Sequence, residues 1–158
     1  MVHGPFDKGN LGLLFKFVVN GIPYPLSKYE NKRSFIYIEN FVYYIHEIIN
    51  KFQKISPGIY HVSDNEYIST NQIMDIIGTI NSKKIRKIRI PKILINGIAK
   101  IGDLLPIPIN SIRLKKLTSN LLVSNEKLNK ELGVIELPFT AKEGLHKTIL
   151  SFNGEQKK

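Results

Sequence analysis

Cysteine is absent from the 158 residues. That excludes disulfides, thiolate metal sites, zinc fingers and cysteine nucleophiles together, and it suits a reducing compartment. No Gly-x-Gly-x-x-Gly follows a strand, because Gly4, Gly9 and Gly12 have other spacings, and no Gly-Lys-Ser/Thr phosphate loop is present. A long hydrophobic run is missing too. The most apolar stretch, 90–109, is interrupted by Lys92, Lys100 and Asp103 and by Pro91, Pro106 and Pro108. A spanning helix needs about 20 apolar residues, so 90–109 reads as a buried or half-buried helix and no membrane partner is expected. Residues 1–8 lack the basic start and apolar core of a signal peptide, which makes the expected location cytoplasmic. Acidic residues are few, 13 against 23 Lys and Arg, for a net charge of +10. Arginine is also scarce: only Arg33, Arg86, Arg89 and Arg113 occur. The surplus favours anionic partners, although most of it is lysine, which solubilises more than it recognises.

What is present fits one soluble α/β domain, with 42% hydrophobic residues and a mean hydropathy of −0.10. A helix is expected over 11–20, ended by Gly21. Pro23 and Pro25 force an extended segment. A strand over 34–38 runs into a helix over 39–52 with Phe41, Val42, Ile45, Ile48 and Ile49 on one face. Further strands are expected over 59–63, 85–90 and 121–123. Ser69 to Gln72 and Thr140 to Glu143 have the spacing of capping boxes, opening helices that carry Ile73, Ile76, Ile77 and Ile80 in the first case and run to about Phe152 in the second. Helices over 92–105 and 111–118, and one from Ser124 to Gly133, complete the pattern, which indicates α/β. Residues 154–158 read as a frayed, disordered tail.

The chemistry on offer is thin. His3, His46, His61 and His146 are isolated from carboxylates at metal-ligand spacing and read as structural, His61 as packed in its strand. Tyr24 and Lys28 form a Tyr-x-x-x-Lys, but that pair works only on a helix, where positions four apart share a face. With Pro23 and Pro25 there, the match reads as accidental. Lys83, Lys84, Arg86, Lys87 and Arg89 make a basic segment. It lacks the stacking aromatics of a single-strand nucleic-acid platform, so a nucleic-acid-binding module is the lesser alternative and no nucleic-acid partner is expected.

Six segments in order resemble the extended short-chain dehydrogenase/reductase superfamily, most closely the bacterial UDP-sugar 4-epimerase type of nucleotide-sugar epimerase. They are Val2-His3-Gly4-Pro5; Lys8-Gly9-Asn10; Asn31-Lys32-Arg33-Ser34-Phe35-Ile36-Tyr37-Ile38-Glu39-Asn40; His61-Val62-Ser63-Asp64 with Ser69-Thr70; Ser124-Asn125-Glu126-Lys127-Leu128 with Glu131-Leu132-Gly133; and Glu143-Gly144-Leu145. The resemblance implies an α/β fold, the C-terminal part of an extended Rossmann-type dehydrogenase: late strands plus a small mixed substrate-binding lobe. It implies that 1–153 is the substrate-binding portion of an NAD-dependent epimerase or dehydratase. In the family the Gly-rich NAD loop and the catalytic Tyr-x-x-x-Lys precede the first of these motifs, so the N-terminal NAD-binding half is expected to be absent, as in a truncated or split frame.

The resemblance also implies roles. NAD is the family cofactor but is not expected to bind this chain alone, and no catalytic or metal-binding residue is assigned. The ligand would be a UDP-sugar. Arg33 resembles the diphosphate-binding Arg, the other reading being an ion pair with Glu30 or Glu39. Arg113 falls about where a second phosphate-binding Arg occurs, or on a solvated face with Lys115 and Lys116. Asn10 and Leu11 resemble nucleotide contacts at a helix start, or a plain cap. Tyr24, Pro25 and Leu26 resemble the strip whose backbone pairs with uracil. Ser27, Ser34 and Val134 depart from common family residues, which leaves the sugar open. A 4-keto reductase or dehydratase of the same superfamily is the alternative reaction, and the family is often dimeric.

Overall fold

The computed structural model describes residues 1–7, 9–104 and 110–155, with the backbone alone for Asn10, Arg113, Lys116 and Glu155. Residue 105, the expected end of one helix, and the tail residues 156–158 lie outside the described residues.

Strand β1 (Val2–His3) pairs in parallel with β3 (Ile36–Tyr37), Val2 opposite Ile36. Strand β2 (Arg33–Ser34) pairs antiparallel with β4 (Tyr67–Ile68). The single strand expected over 34–38 is therefore two. Phe35 is the switch point: its carbonyl accepts the Asp64 N–H at 2.7 Å while the residues on either side join different ladders. Helix α2 (Ile38–Asn50) begins one residue earlier than expected. The strand expected over 59–63 does not form, and His61 is exposed rather than packed. Side chains hold that segment instead: Ser63 Oγ donates to the Val123 carbonyl, and Asn125 Nδ2 donates to the Ser63 carbonyl. The basic segment makes isolated bridges at Lys87 and Arg89, and Leu121 makes one to Arg33.

Helix α1 (Asn10–Val19) ends where Gly21 takes φ +66°, the left-handed conformation that glycine adopts without penalty. Helix α3 (Thr70–Ile80) opens on a complete capping box: Gln72 N–H donates to Ser69 Oγ at 3.1 Å and Ser69 N–H to Gln72 Oε1 at 2.7 Å. Helices α4 (Lys92–Leu104) and α5 (Ser111–Thr118) pack on each other. Helix α6 (Glu126–Leu132) stops at Gly133, φ +64°. The Thr140–Glu143 box forms as expected at the head of helix α7, Ala141–Glu155, which outruns its expected end at Phe152.

Two apolar clusters make the core. The larger joins α1, α3, α4, α5 and α7 through residues such as Phe15, Met74, Ile77, Leu114 and Ile149. The smaller sets Ile36 and Tyr44 against Leu128 and Leu132 of α6. The face of α2 differs from its expected stripe. Asn40 and Tyr44 are buried, while Val42, Ile45 and Ile49 are exposed. Hydrogen bonds decide this. Asn40 Nδ2 donates to Asp64 Oδ1 and the Phe139 carbonyl, and Tyr44 OH donates to Asn129 Oδ1. Helix α4 departs too: of its 13 residues only Ile95, Ala99 and Gly102 are buried.

Candidate functional site

Residues 24–34 form one continuous strip held on three sides. At its start, Tyr24 N–H donates to the Arg86 carbonyl at 2.9 Å and Ile88 N–H donates back to the Tyr24 carbonyl at 3.0 Å. Ser27 Oγ adds a bond to the Ile88 carbonyl at 2.8 Å. The first turn of α3 holds the middle: Asn71 Nδ2 donates to the carbonyls of Ser27 and Tyr29. Buried Asn31 donates through Nδ2 to Thr70 Oγ1 and to the Leu117 carbonyl, and accepts the Thr70 N–H on Oδ1. The end of α5 and the loop after it hold the far side: Lys32 N–H donates to Asn120 Oδ1, Leu121 N–H to the Lys32 carbonyl and Ser34 N–H to the Leu121 carbonyl.

Arg33 lies half-buried at the end of this strip, between Ile68 of β4 and Leu121. Glu39, one of the two carboxylates considered as its partner, accepts the Tyr37 hydroxyl at 2.5 Å and Lys147 Nζ at 3.3 Å. Arg113 is carried by α5, whose Leu117 carbonyl accepts from Asn31; its side chain lies outside the described residues. The fold thus brings the helix bearing Arg113 beside the strip bearing Arg33. Tyr24, Pro25 and Leu26 lie on the same strip, but Tyr24 and Leu26 point into the larger core cluster and both backbone groups of Tyr24 are engaged. Any base contact through the strip must use the backbone beyond Tyr24.

The start of α1 is tied elsewhere. Phe6 N–H donates to Ser151 Oγ of α7, and Leu11 is a core residue. The Gly9 N–H donates to Asp7 Oδ1 at 2.7 Å, so a carboxylate already sits at the helix entrance. The side chain of Asn10 lies outside the described residues.

Burial sets the electrostatics of the titratable groups near the strip and the core. Burial pushes the Tyr24 phenol up to about 12, the reverse of what a catalytic phenol needs. Burial, with the nearby N-terminal amine, lowers His3 to about 4, and its Nδ1 lies 2.9 Å from Thr148 Oγ1. Asp64 is raised by burial, opposed by the donors Asn40 and Tyr37 N–H. Among the described residues no three His, Asp or Glu are grouped to hold a metal ion. Asn31 and Thr70 fall within the resemblance segments without a role of their own, and Asn71 and Asn120, which complete the strip, carry no sequence signal, because single Asn and Thr residues near turns look like ordinary turn formers.

No family profile and no curated protein matches the chain in sequence. Solved structures do match in fold. UDP-glucuronic acid 4-epimerase from Bacillus cereus, in complex with NAD, matches at a TM-score of 0.66 and 13% identity over 98% of this chain and 43% of its own. dTDP-glucose 4,6-dehydratase from Bacillus anthracis str. Ames, in complex with NAD, matches at 0.65 and 15% over 99% of this chain and 43% of its own. WbmG from Bordetella bronchiseptica, in complex with NAD and UDP, matches at 0.64 and 15% over 98% and 42%. The chain therefore has the α/β fold of the C-terminal portion of extended short-chain dehydrogenase/reductase epimerases and dehydratases, and spans less than half the length of the proteins it resembles.

Proposed function

We propose that this chain is the nucleotide-sugar-binding portion of an NAD-dependent epimerase of the UDP-sugar 4-epimerase type, inactive without a separate NAD-binding half. The observation that carries the reading is the alignment of nearly the whole chain with less than half of nucleotide-sugar enzymes, one of them solved with UDP. The dehydratase among the similar structures keeps a dehydratase as the second reading.

The chain's own residues do not fit NAD. There is no Gly-rich loop, and at α1 the Asp7 carboxylate occupies the Gly9 N–H that a pyrophosphate would seek. Hydride chemistry and the catalytic Tyr belong to the other half. The task left here is to hold a diphosphate while the sugar turns. A guanidinium suits it, because its planar fork binds phosphate oxygens bidentately. Arg33 is the anchor, Arg113 the second phosphate contact, and the Pro25 carbonyl is the backbone group left for the base, because the Leu26 carbonyl accepts the Tyr29 N–H at 2.9 Å. Asn10 and Leu11 contribute through the α1 backbone.

A charge-assisted contact is worth roughly 1.5–3 kcal/mol, so Arg33→Ala weakens UDP binding about 10- to 150-fold and Arg33→Lys recovers only part. Calorimetric titration with UDP, on the chain reassembled with an NAD-binding half, measures this. A dissociation constant within twofold of the parent for Arg33→Ala, with binding abolished in Arg113→Ala, would overturn the assignment.

A further inference from the structure

Helix α4 meets the body through the narrow seam of Ile95, Ala99 and Gly102. At about 100° per residue, Ile93, Leu94, Ile101 and Leu104 fall on the side turned away from that seam, and Ile98 lies on its flank. All five are exposed, Ile93 to 84% and Leu104 to 88%. Lys92, Asn96, Lys100 and Asp103 fill the remaining arc. An amphipathic helix ordinarily turns its apolar stripe to the core; this one turns a second apolar stripe outward.

A cation surplus precedes that stripe in the chain. Lys83, Lys84, Arg86, Lys87 and Arg89 are all exposed in the segment leading into α4. From 83 to 104 there are seven Lys or Arg and one acid, Asp103, which accepts from Ser111 N–H and Oγ. Of the seven, Lys87 is ion-paired to Asp75 at 2.7 Å. Exposed branched aliphatics beside a cation surplus match a surface that is anionic outside and apolar just beneath. Nucleic acid offers the anions without the apolar layer, and would call for stacking aromatics. The helix is 13 residues, about 20 Å long, too short to cross a hydrocarbon core of about 30 Å. Among the described residues no helix is long and apolar enough to cross a membrane. The expectation of no membrane partner rested on that same lack of a spanning stretch, which does not bear on a helix lying in the interface.

We propose that α4, with the basic segment 83–89, docks this protein in the plane of an anionic lipid bilayer. Because Tyr24 pairs with the basic segment, the docked face adjoins the strip of the candidate site and sets it close to the lipid surface.

The test is co-sedimentation of the whole chain with vesicles of phosphatidylcholine alone, or of phosphatidylcholine with about a third phosphatidylglycerol. Binding to the anionic vesicles is expected to be at least about tenfold tighter, and to fall steeply on raising salt to about 0.5 M. The triple change Ile93→Ser, Ile98→Ser, Ile101→Ser and the triple change Lys84→Gln, Arg86→Gln, Arg89→Gln should each cost at least about tenfold. Both sets alter exposed side chains, so thermal melts matching the parent's confirm folding. Equal binding to both vesicle types, no binding, or either variant binding like the parent overturns the proposal. So does a parent dimer that the serine variant converts to monomer without lipid binding, which would assign the face to a second copy. Binding to a single-stranded oligonucleotide that only the glutamine variant loses would assign the segment to nucleic acid.

Discussion

His3 is a buried base. It packs edge-on against Phe35 and hydrogen-bonds Thr148 of α7 across 145 positions of sequence. Its pKa of about 4 lies below the ordinary value of 6.5, so between these values the unfolded chain binds a proton that the folded chain refuses. Stability is fully present above about pH 6.5 and declines toward pH 4, by up to about 3 kcal/mol. Asp64 works in the opposite sense: raised by burial, it favours the folded state in acid and loses that effect as pH rises. Melting temperatures measured from about pH 7 to 4.5 should fall in the parent and fall less in His3→Gln. A steric case sits nearby. A Cβ at Gly144 would lie 2.6 Å from Cβ and Cγ of Tyr37, whereas one at Gly97 meets nothing within 4 Å. Gly144→Ala should therefore destabilise by about 1–3 kcal/mol or more, while Gly97→Ala in α4 should stabilise by up to about 1 kcal/mol; urea unfolding of the two variants checks the contrast.

Among the elements, α3 links stability to the candidate site. Its capping box satisfies two otherwise orphaned N–H groups, and its next two residues, Thr70 and Asn71, grip the strip 27–31. Ser69→Ala should cost about 1 kcal/mol and loosen that grip as the first turn frays. Urea unfolding gives the first quantity. Amide exchange at Gln72 and Thr70 gives the second, and unchanged protection there would contradict the coupling. Helix α2 shows a different balance. Its buried face carries Asn40 and Tyr44 because both reach partners, Asp64 and Phe139 for one and Asn125 and Asn129 for the other. A buried polar group that is fully bonded can displace an aliphatic one to the surface.

For the whole molecule, the result is apolar exposure on α2, opposite its own cluster. Val42, Ile45, Ile49 and, just beyond the helix, Phe52 are exposed, Phe52 to 75%. The β1–β3 ladder beside it is parallel, a type of sheet usually covered on both faces. Under the proposed function this is the side that an NAD-binding half covers. The isolated chain should bind a hydrophobic dye and self-associate. Val42→Ser with Ile49→Ser should lower both, measured by dye fluorescence and sedimentation velocity. A dye-silent, monodisperse parent with a sharp two-state melt would contradict the expectation.

Signals completed within a few residues were legible in the sequence: the Ser69 and Thr140 capping boxes, the glycine stops at Gly21 and Gly133, and the helix over 111–118. Each rests on hydrogen bonds or steric limits spanning about one helical turn, so local residues suffice. The six ordered motifs were enough for the fold class as well. Other features depend on partners that only folding supplies. Periodicity showed that α2 and α4 are apolar, yet both carry more than one apolar arc, and the core chose Asn40 and Tyr44 in one and three small-to-medium residues in the other. The strand over 34–38 divided because Asp64, 29 positions further along the chain, bonds the Phe35 carbonyl. The strip carrying Arg33 exists because Asn31, Asn71 and Asn120 reach backbone groups that are distant in sequence or across a turn. Burial, register and site assembly are long-range outcomes, decided by which hydrogen-bonding and packing partners arrive together rather than by the order of residues along the chain.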